Sequence, residues 1–334
     1  MSATIDLMHA TSAAQFAAAE SDGIPALEEV RPGLFAMGVP LPGVLPHFTL
    51  SYLIRDEHGA VHLIDPGWDS DENWHSLETV LAALGGSPDE LASVTVTHLH
   101  PDHLGMAARV RSASGAPVAL HRAEQSAIHE VATPTPAVEA LDRFRGWGVP
   151  TDRHRELLDA VERRGGWPPF TADRLLDDGD LLEIPGRELR VLHTPGHTSG
   201  HLALQDAGNR LLFTGDLLLP NQFPGVGLGG TSAQNPLDDY LGSLERIAAL
   251  DGHEVLPGHG YRFTGLAERC AETARHHNRR TAEVAAILDA AEGRTVWQVA
   301  TGLSWTAGWE NLRGFHLLSA LSQTALHKDL IGAT

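Results

Sequence analysis

The 334-residue chain contains a single cysteine, Cys270. That excludes an internal disulfide framework and fits a reducing, cytoplasmic setting. No run of 18 or more apolar residues occurs, so no membrane-spanning helix is expected. The first residues, Met1-Ser2-Ala3-Thr4-Ile5-Asp6, lack the basic start and apolar core of a signal peptide, which again points to the cytoplasm. Positive charge is scarce: 24 Lys and Arg stand against 43 Asp and Glu, for a formal net charge of −19. This balance disfavours a phosphate backbone as a general partner, so no nucleic acid is expected. A nucleotide fingerprint is missing too. Gly225-Val226-Gly227-Leu228-Gly229-Gly230 is glycine-rich, but it follows a Pro-containing loop and does not join a strand to a helix. It reads as a loop near a site. What remains is an ordinary globular composition, 42% apolar, on a chain long enough for one large domain with an appendage.

Against these absences stands one dense cluster, His98-Leu99-His100-Pro101-Asp102-His103. His98 and His100 are two apart and share a side of an extended segment. Asp102 and His103 follow at a Pro-marked turn, which can redirect them to a second point. One cluster can thus serve two adjacent ions. Imidazole and carboxylate without a nearby thiolate suit zinc, and also iron or manganese.

Stray pairs are unremarkable among 20 His, but three further ligand-like residues each follow a strand-like run. They are His197 in Thr194-Pro195-Gly196-His197-Thr198, Asp216 in Phe213-Thr214-Gly215-Asp216, and His259 in Leu256-Pro257-Gly258-His259-Gly260. Ligating residues at strand ends, with glycine beside them for tight turns, are what a site at a sheet edge requires.

In this order, and together with Leu63-Ile64-Asp65-Pro66-Gly67, these motifs resemble the metallo-β-lactamase superfamily over roughly residues 28–263. The resemblance implies an α/β fold, a four-layer αββα sandwich, with a dinuclear site at one edge. It assigns His98, His100 and His197 to one metal, Asp102, His103 and His259 to the other, and Asp216 to the bridge. It implies two zinc ions per chain, iron or manganese being alternatives. A hydroxide shared by the metals would attack a carbonyl carbon. Asp102 would ligate and orient that nucleophile, which makes it the candidate catalytic residue. True β-lactamases generally lack an Asp bridge here, so Asp216 points to the hydroxyacyl-glutathione hydrolase, lactonase and thioesterase side. Flavodiiron proteins carry an acidic residue at the place of His100. Acyl-homoserine lactonases usually have a Tyr soon after the bridging Asp, whereas this chain reads Asp216-Leu217-Leu218-Leu219-Pro220.

Hydrophobic patterning gives the organisation. Residues 1–22 read as a loose tail with a possible short helix at 13–19. Residues 23–263 read as the catalytic domain and 264–334 as a helical extension. Strands are expected at 33–38, 48–55, 60–65, 93–97 and 117–121, and helices at 73–84 and 103–114. Two helices, 137–147 and 151–164, fall in an insertion at about 135–170. It reads as a lid lined by Trp147, Trp167 and Phe170, or as a helical hairpin that packs on the sandwich. The extension reads as helices at 264–291, 295–303 (capped by Thr295) and 310–330. It resembles the winged-helix-like tail of some superfamily members, without a full wing, and suggests packing or a homodimer. His276 and His277 point about 100° apart on a helix and read as a packing pair.

The leading function is hydrolysis of an ester, thioester or lactone of a partly hydrophobic small molecule, with Phe223 a further candidate contact. A metal-dependent ribonuclease, a mononuclear iron enzyme like the persulfide dioxygenases, and a non-catalytic metal-binding protein are the alternatives.

Overall fold

Side chains alternate across a strand, so a strand with apolar residues at every position must be covered on both faces. Strand after strand here is buried in that way, and the result is two sheets packed face to face with helices outside. The computed structural model describes residues 9–21, 23–43, 46–164, 169–290 and 293–332. Strand β1 (His9–Ala10) and helix α1 (Ala13–Ala19) come first. Strands β2 (Glu28–Arg31), β3 (Leu34–Pro40), β4 (Phe48–Arg55), β5 (Val61–Ile64), β6 (Leu91–Thr95), β7 (Val118–His121) and β8 (Arg174–Leu176) form one seven-stranded sheet in sequence order. Strands β9 (Leu189–His193), β10 (Leu202–Asp206), β11 (Leu211–Gly215), β12 (Glu254–Pro257) and β13 (Phe263–Thr264) join β1 in a six-stranded sheet of order β1-β13-β12-β11-β10-β9.

Parity along the strands sorts the core into layers. Leu50, Tyr52 and Ile54 of β4 meet Leu202 and Leu204 of β10 between the sheets, while Leu53 and Ala203 face outward. Outside the first sheet lie α2 (Asp71–Ala83), α3 (Pro101–Leu104), α4 (Ala107–Ser114) and α5 (Arg122–Ala132); Leu77, Leu81, Val110 and Ile128 pack there with Leu53 and Leu63. The insertion supplies α6 (Ala137–Gly146) and α7 (His154–Arg164). Outside the second sheet lie α8 (Pro236–Ala248) and α9 (Leu266–Asp289), through Leu237, Tyr240, Leu244 and Leu266. Helices α10 (Val296–Gly302) and α11 (Gly314–Gly332) follow. The molecule is thus a four-layer αββα sandwich with extra helices, as the motifs implied.

Three expectations change. Helix 103–114 is two helices, α3 and α4, because Gly67 O accepts from Met106 N–H and the chain turns there. The described part of the N-terminal stretch is not loose. His9 and Ala10 pair with Thr264 and Phe263, and Gln15 Oε1 accepts from Arg262 N–H at 3.0 Å. The insertion and the extension are not separate units. Ala140, Phe144 and Leu157 share one apolar cluster with Val296, Leu317 and Leu321. The apolar face of α11, which suggested a dimer, is therefore covered within the chain. Thr295 caps α10 in a reciprocal box with Gln298, as its sequence indicates. No wing strands occur among the described residues after β13.

Phe144 is fully buried where the insertion meets the extension. Phe144→Ala should cost about 3–5 kcal/mol. Chemical denaturation of purified variant and parent measures it; a loss under about 1 kcal/mol would mean that the two segments do not stabilise each other.

Candidate metal centre

The metal-binding motifs converge at one edge of the sandwich because each follows the end of a strand. The His98–His103 cluster follows β6, His197 lies between β9 and β10, Asp216 follows β11 and His259 follows β12. The two sheets are tied together there: Leu202 N–H donates to Thr97 O at 3.0 Å, Leu50 N–H to Gly258 O at 2.7 Å, and Tyr52 Oη–H to Pro257 O at 2.7 Å. Gly258 must be glycine, since a Cβ on it would fall 2.6 Å from both Asp216 Oδ1 and His103 Cε1.

Hydrogen bonds on the remote side of each ring decide what faces inward. His98 Nδ1–H donates to Thr97 Oγ1 at 3.0 Å, His197 Nδ1–H to Gly225 O at 2.7 Å, and His100 Nε2–H to Leu228 O at 3.4 Å. The lone pairs of His98 Nε2, His197 Nε2 and His100 Nδ1 are then left facing one another. His100 Nδ1 is 2.9 Å from the first and 3.0 Å from the second. Three converging lone pairs repel unless a cation lies among them. Four donors about 2.0–2.1 Å from a zinc ion stand about 3.3 Å apart, so the spacing fits.

The second point is built alike. His103 Nδ1–H donates to Asp65 Oδ2 at 2.8 Å and His259 Nδ1–H to Phe48 O at 2.8 Å. Their Nε2 atoms are 3.4 Å apart, and Asp102 Oδ2 lies 3.2 Å from His259 Nε2. Asp216 stands between the points: Oδ1 is 3.5 Å from His103 Nε2, while Oδ2 is 3.5 Å from His259 Nε2 and 3.8 Å from His197 Nε2. Buried Asp216 Oδ1 has no hydrogen-bond partner. A buried carboxylate oxygen without a donor is costly, and a cation would satisfy it. The donor set fits two divalent ions.

Electrostatics separates the two points. Burial, and then the neighbouring imidazoles, hold His98 well below its ordinary value; burial, followed by His197, pushes His100 down to about 3. Burial acts the same way on His103 and His259, but Asp216 and Asp102 outweigh it and raise both. Asp102 and Asp216 are lowered, because His103 and His259 overcome the effect of burial. The first point is therefore neutral and ready to ligate, whereas the second holds protons that a cation must displace.

Two supporting residues escaped sequence reasoning. Asp65 received no role, although its motif was recognised. It accepts Thr97 N–H and Thr97 Oγ1–H, each at 2.7 Å, besides His103. Its φ of 51° is unusual for a non-glycine residue. Glu124 on α5 gave no signal at all, being one Glu among many. It is fully buried and accepts Leu99 N–H at 2.7 Å, Thr198 Oγ1–H at 2.8 Å and Gly200 N–H at 2.8 Å. It straps the His98–His100 loop to the His197 loop.

Of the expected substrate contacts, Trp147, Phe170 and Phe223 each pack against other side chains of the chain. Trp147 packs in the helical cluster, where its carbonyl accepts from Trp297 N–H at 2.9 Å. Phe170 is buried outside the first sheet beneath Arg111. Phe223 stacks on His276 with ring centroids 4.0 Å apart, under the Arg269 guanidinium. Trp167 lies outside the described residues. The insertion nevertheless reaches the neighbourhood of the centre through other residues. A cavity of about 470 Å³ lies among α5, α6, α7, α11 and Gly227–Gly230. Tyr261 packs edge-on to Phe16 of α1, and His277 edge-on to Tyr240.

Asp65→Asn should weaken the second ion about 10- to 100-fold, read by metal titration against a chelator; equal affinity in the variant would remove Asp65 from the centre. Glu124→Gln turns an amide N–H₂ towards one of three donors and should cost about 1–3 kcal/mol, read by denaturation. Burial lifts Glu124 to about 7 from its ordinary 4.5, despite its three donors. The folded chain then keeps a proton that the unfolded chain releases first, so stability from this group is full below 4.5 and declines as pH rises towards 7. Glu124→Gln should flatten that part of the pH–stability curve; an unchanged curve would rule the group out.

Comparison with known proteins agrees with this geometry. Residues 44–259 match the family model described as the metallo-beta-lactamase superfamily. The "probable metallo-hydrolase YqjP" of Bacillus subtilis is 27% identical over 90% of this chain and 92% of its own length. The chicken (Gallus gallus) protein named acyl-coenzyme A thioesterase MBLAC2 is 30% identical over 52% of this chain and 58% of its own. The crystal structure of metallo-beta-lactamase family protein TTHA1429 from Thermus thermophilus superposes with a TM-score of 0.72 at 30% identity, covering 91% of this chain and 95% of that one. Fold, donor clusters and family model coincide: the chain belongs to the metallo-β-lactamase superfamily and is a metal-dependent hydrolase.

Proposed function

We propose that this protein is a dinuclear zinc hydrolase that cleaves the carbonyl bond of an ester, thioester or lactone in a partly hydrophobic small molecule. One observation carries the reading: imidazoles and carboxylates from both halves of the fold turn their donor atoms onto two adjacent points beside Asp216. His98, His100 and His197 are the ligands proposed for one ion and Asp102, His103 and His259 for the other, and Asp216 would be shared between them. Nitrogen and oxygen donors suit zinc, and the one thiol, Cys270, is buried among α8, α9 and the second sheet.

When bound, such a pair supplies a hydroxide at neutral pH and polarises a carbonyl oxygen. The protein's own part is to aim, neutralise and exclude water. Asp102 has the catalytic role. Its carboxylate stays ionised beside His259, and its side chain is 24% exposed whereas that of His103 is 0% exposed, so it meets the incoming substrate and can orient the nucleophile. Asp65 and Glu124 fix the ligand loops. Thioester cleavage is favoured within the class by the similarity to a protein named an acyl-coenzyme A thioesterase. Among the described residues no helix is long and apolar enough to cross a membrane.

Elemental analysis should find two zinc ions per chain, and a panel of small thioesters and lactones should be hydrolysed until chelator is added. His98→Ala should lose more than about a hundredfold in kcat/KM, beyond what loss of an outer partner costs. A single iron with no hydrolysis, or full activity in His98→Ala, would overturn the assignment.

A further inference from the structure

The cavity of about 470 Å³ is unaccounted for by metal binding. Its size lies within the roughly 300–1,000 Å³ of small-molecule sites. Its position ties it to the centre. The floor is Gly227–Gly230, and Leu228 links that floor to two of the proposed ligands: its N–H donates to His197 O at 2.8 Å, and its carbonyl accepts from His100 Nε2 at 3.4 Å. Gly229 O in turn accepts from Ser199 N–H at 2.8 Å. At Gly230 the floor is bare backbone: φ is +76° there, and a Cβ would lie 2.7 Å from Ala127 Cβ.

The walls come from three distant segments. Val131 belongs to α5 and Pro134 comes just after it, Val161 belongs to α7 in the insertion, and Leu318 and Ser322 belong to α11 in the extension. Val131, Pro134, Val161 and Leu318 give these walls apolar side chains, beside the hydroxyls of Thr133, Thr135 and Ser322. The charged lining is one guanidinium, Arg143, with two carboxylates, Glu130 and Glu162, which sum to −1 on a chain of formal charge −19. Like charges at close range oppose entry, so the lining disfavours a polyphosphate-bearing group. An uncharged carbon chain meets no such opposition.

We propose that this cavity is the subsite for the uncharged acyl chain of the substrate, and that the insertion and α11 act together as its specificity walls. The assignment rests on the carbonyl hydrolysis proposed above. It gives the C-terminal helix a part in substrate choice and puts the acyl side of the bond, not the leaving group, on the His100 side of the centre.

The test compares octanoyl with acetyl thioesters in parent, Ser322→Trp and Val161→Phe proteins, the second variant covering a failure of the first to fold. Filling the cavity should lower the octanoyl-to-acetyl ratio of kcat/KM at least about tenfold. The parent should also cleave an octanoyl thioester faster than one whose chain ends in a carboxylate. Octanamide, a neutral probe, should bind the zinc-loaded parent, with a Kd raised at least about tenfold in either variant. An unchanged ratio together with unchanged octanamide binding would overturn the subsite, as would failure of octanamide to bind the parent. A parent that cleaves no thioester, yet loses octanamide affinity in the variants, would retain the cavity assignment and fail the reaction.

Discussion

The site depends on the far side of its imidazoles. Each proposed His ligand has its remote ring nitrogen held by a carbonyl, hydroxyl or carboxylate, and that bond turns the other nitrogen's lone pair inward. The holders are Thr97, Leu228, Asp65, Gly225 and Phe48, drawn from loops and strand ends throughout the sandwich. Sheet register, the glycine at 258 and the strap at Glu124 all serve to keep those holders in place. An imidazole freed from its holder could change tautomer and present a proton where a lone pair is needed.

The helical additions have a related logic. An αββα sandwich covers its own sheets and has no need of α6, α7, α10 and α11. These four bury their apolar faces on one another, which is why Phe144 and Trp147 of the insertion belong to a packed cluster. The side chains that do reach the cavity are smaller or more polar: Val161, Glu162, Leu318 and Ser322.

The proposed ligands could be read from the sequence because they are local and punctuated. Four short motifs, each after a strand-like run and most flanked by Gly or Pro, carry them. The strands were legible for the same reason: β4 and β5 are short apolar runs, buried almost throughout, with a glycine turn between them. Three kinds of feature were not legible. Long-range partners such as Glu124, which meets Thr198 across 74 positions, have no local signature. Edge pairing of two residues, as in His9–Ala10 with Phe263–Thr264, is too short to leave a pattern. The amphipathic periodicity of α6 and α7 shows that each has an apolar face, but not what that face meets, so Trp147 could be imagined over the metals when it packs in one cluster with α10.

Every donor group spans the two halves of the chain. His100 from the first half meets His197 from the second across 97 positions, and His103 meets His259 across 156. An ion held between such residues closes a very long loop, and clips of that kind act most strongly on the entropy of the open chain. The centre is therefore also a rivet at the seam between the two sheets. Part of the binding energy of ions held there would be cohesion of the sandwich itself.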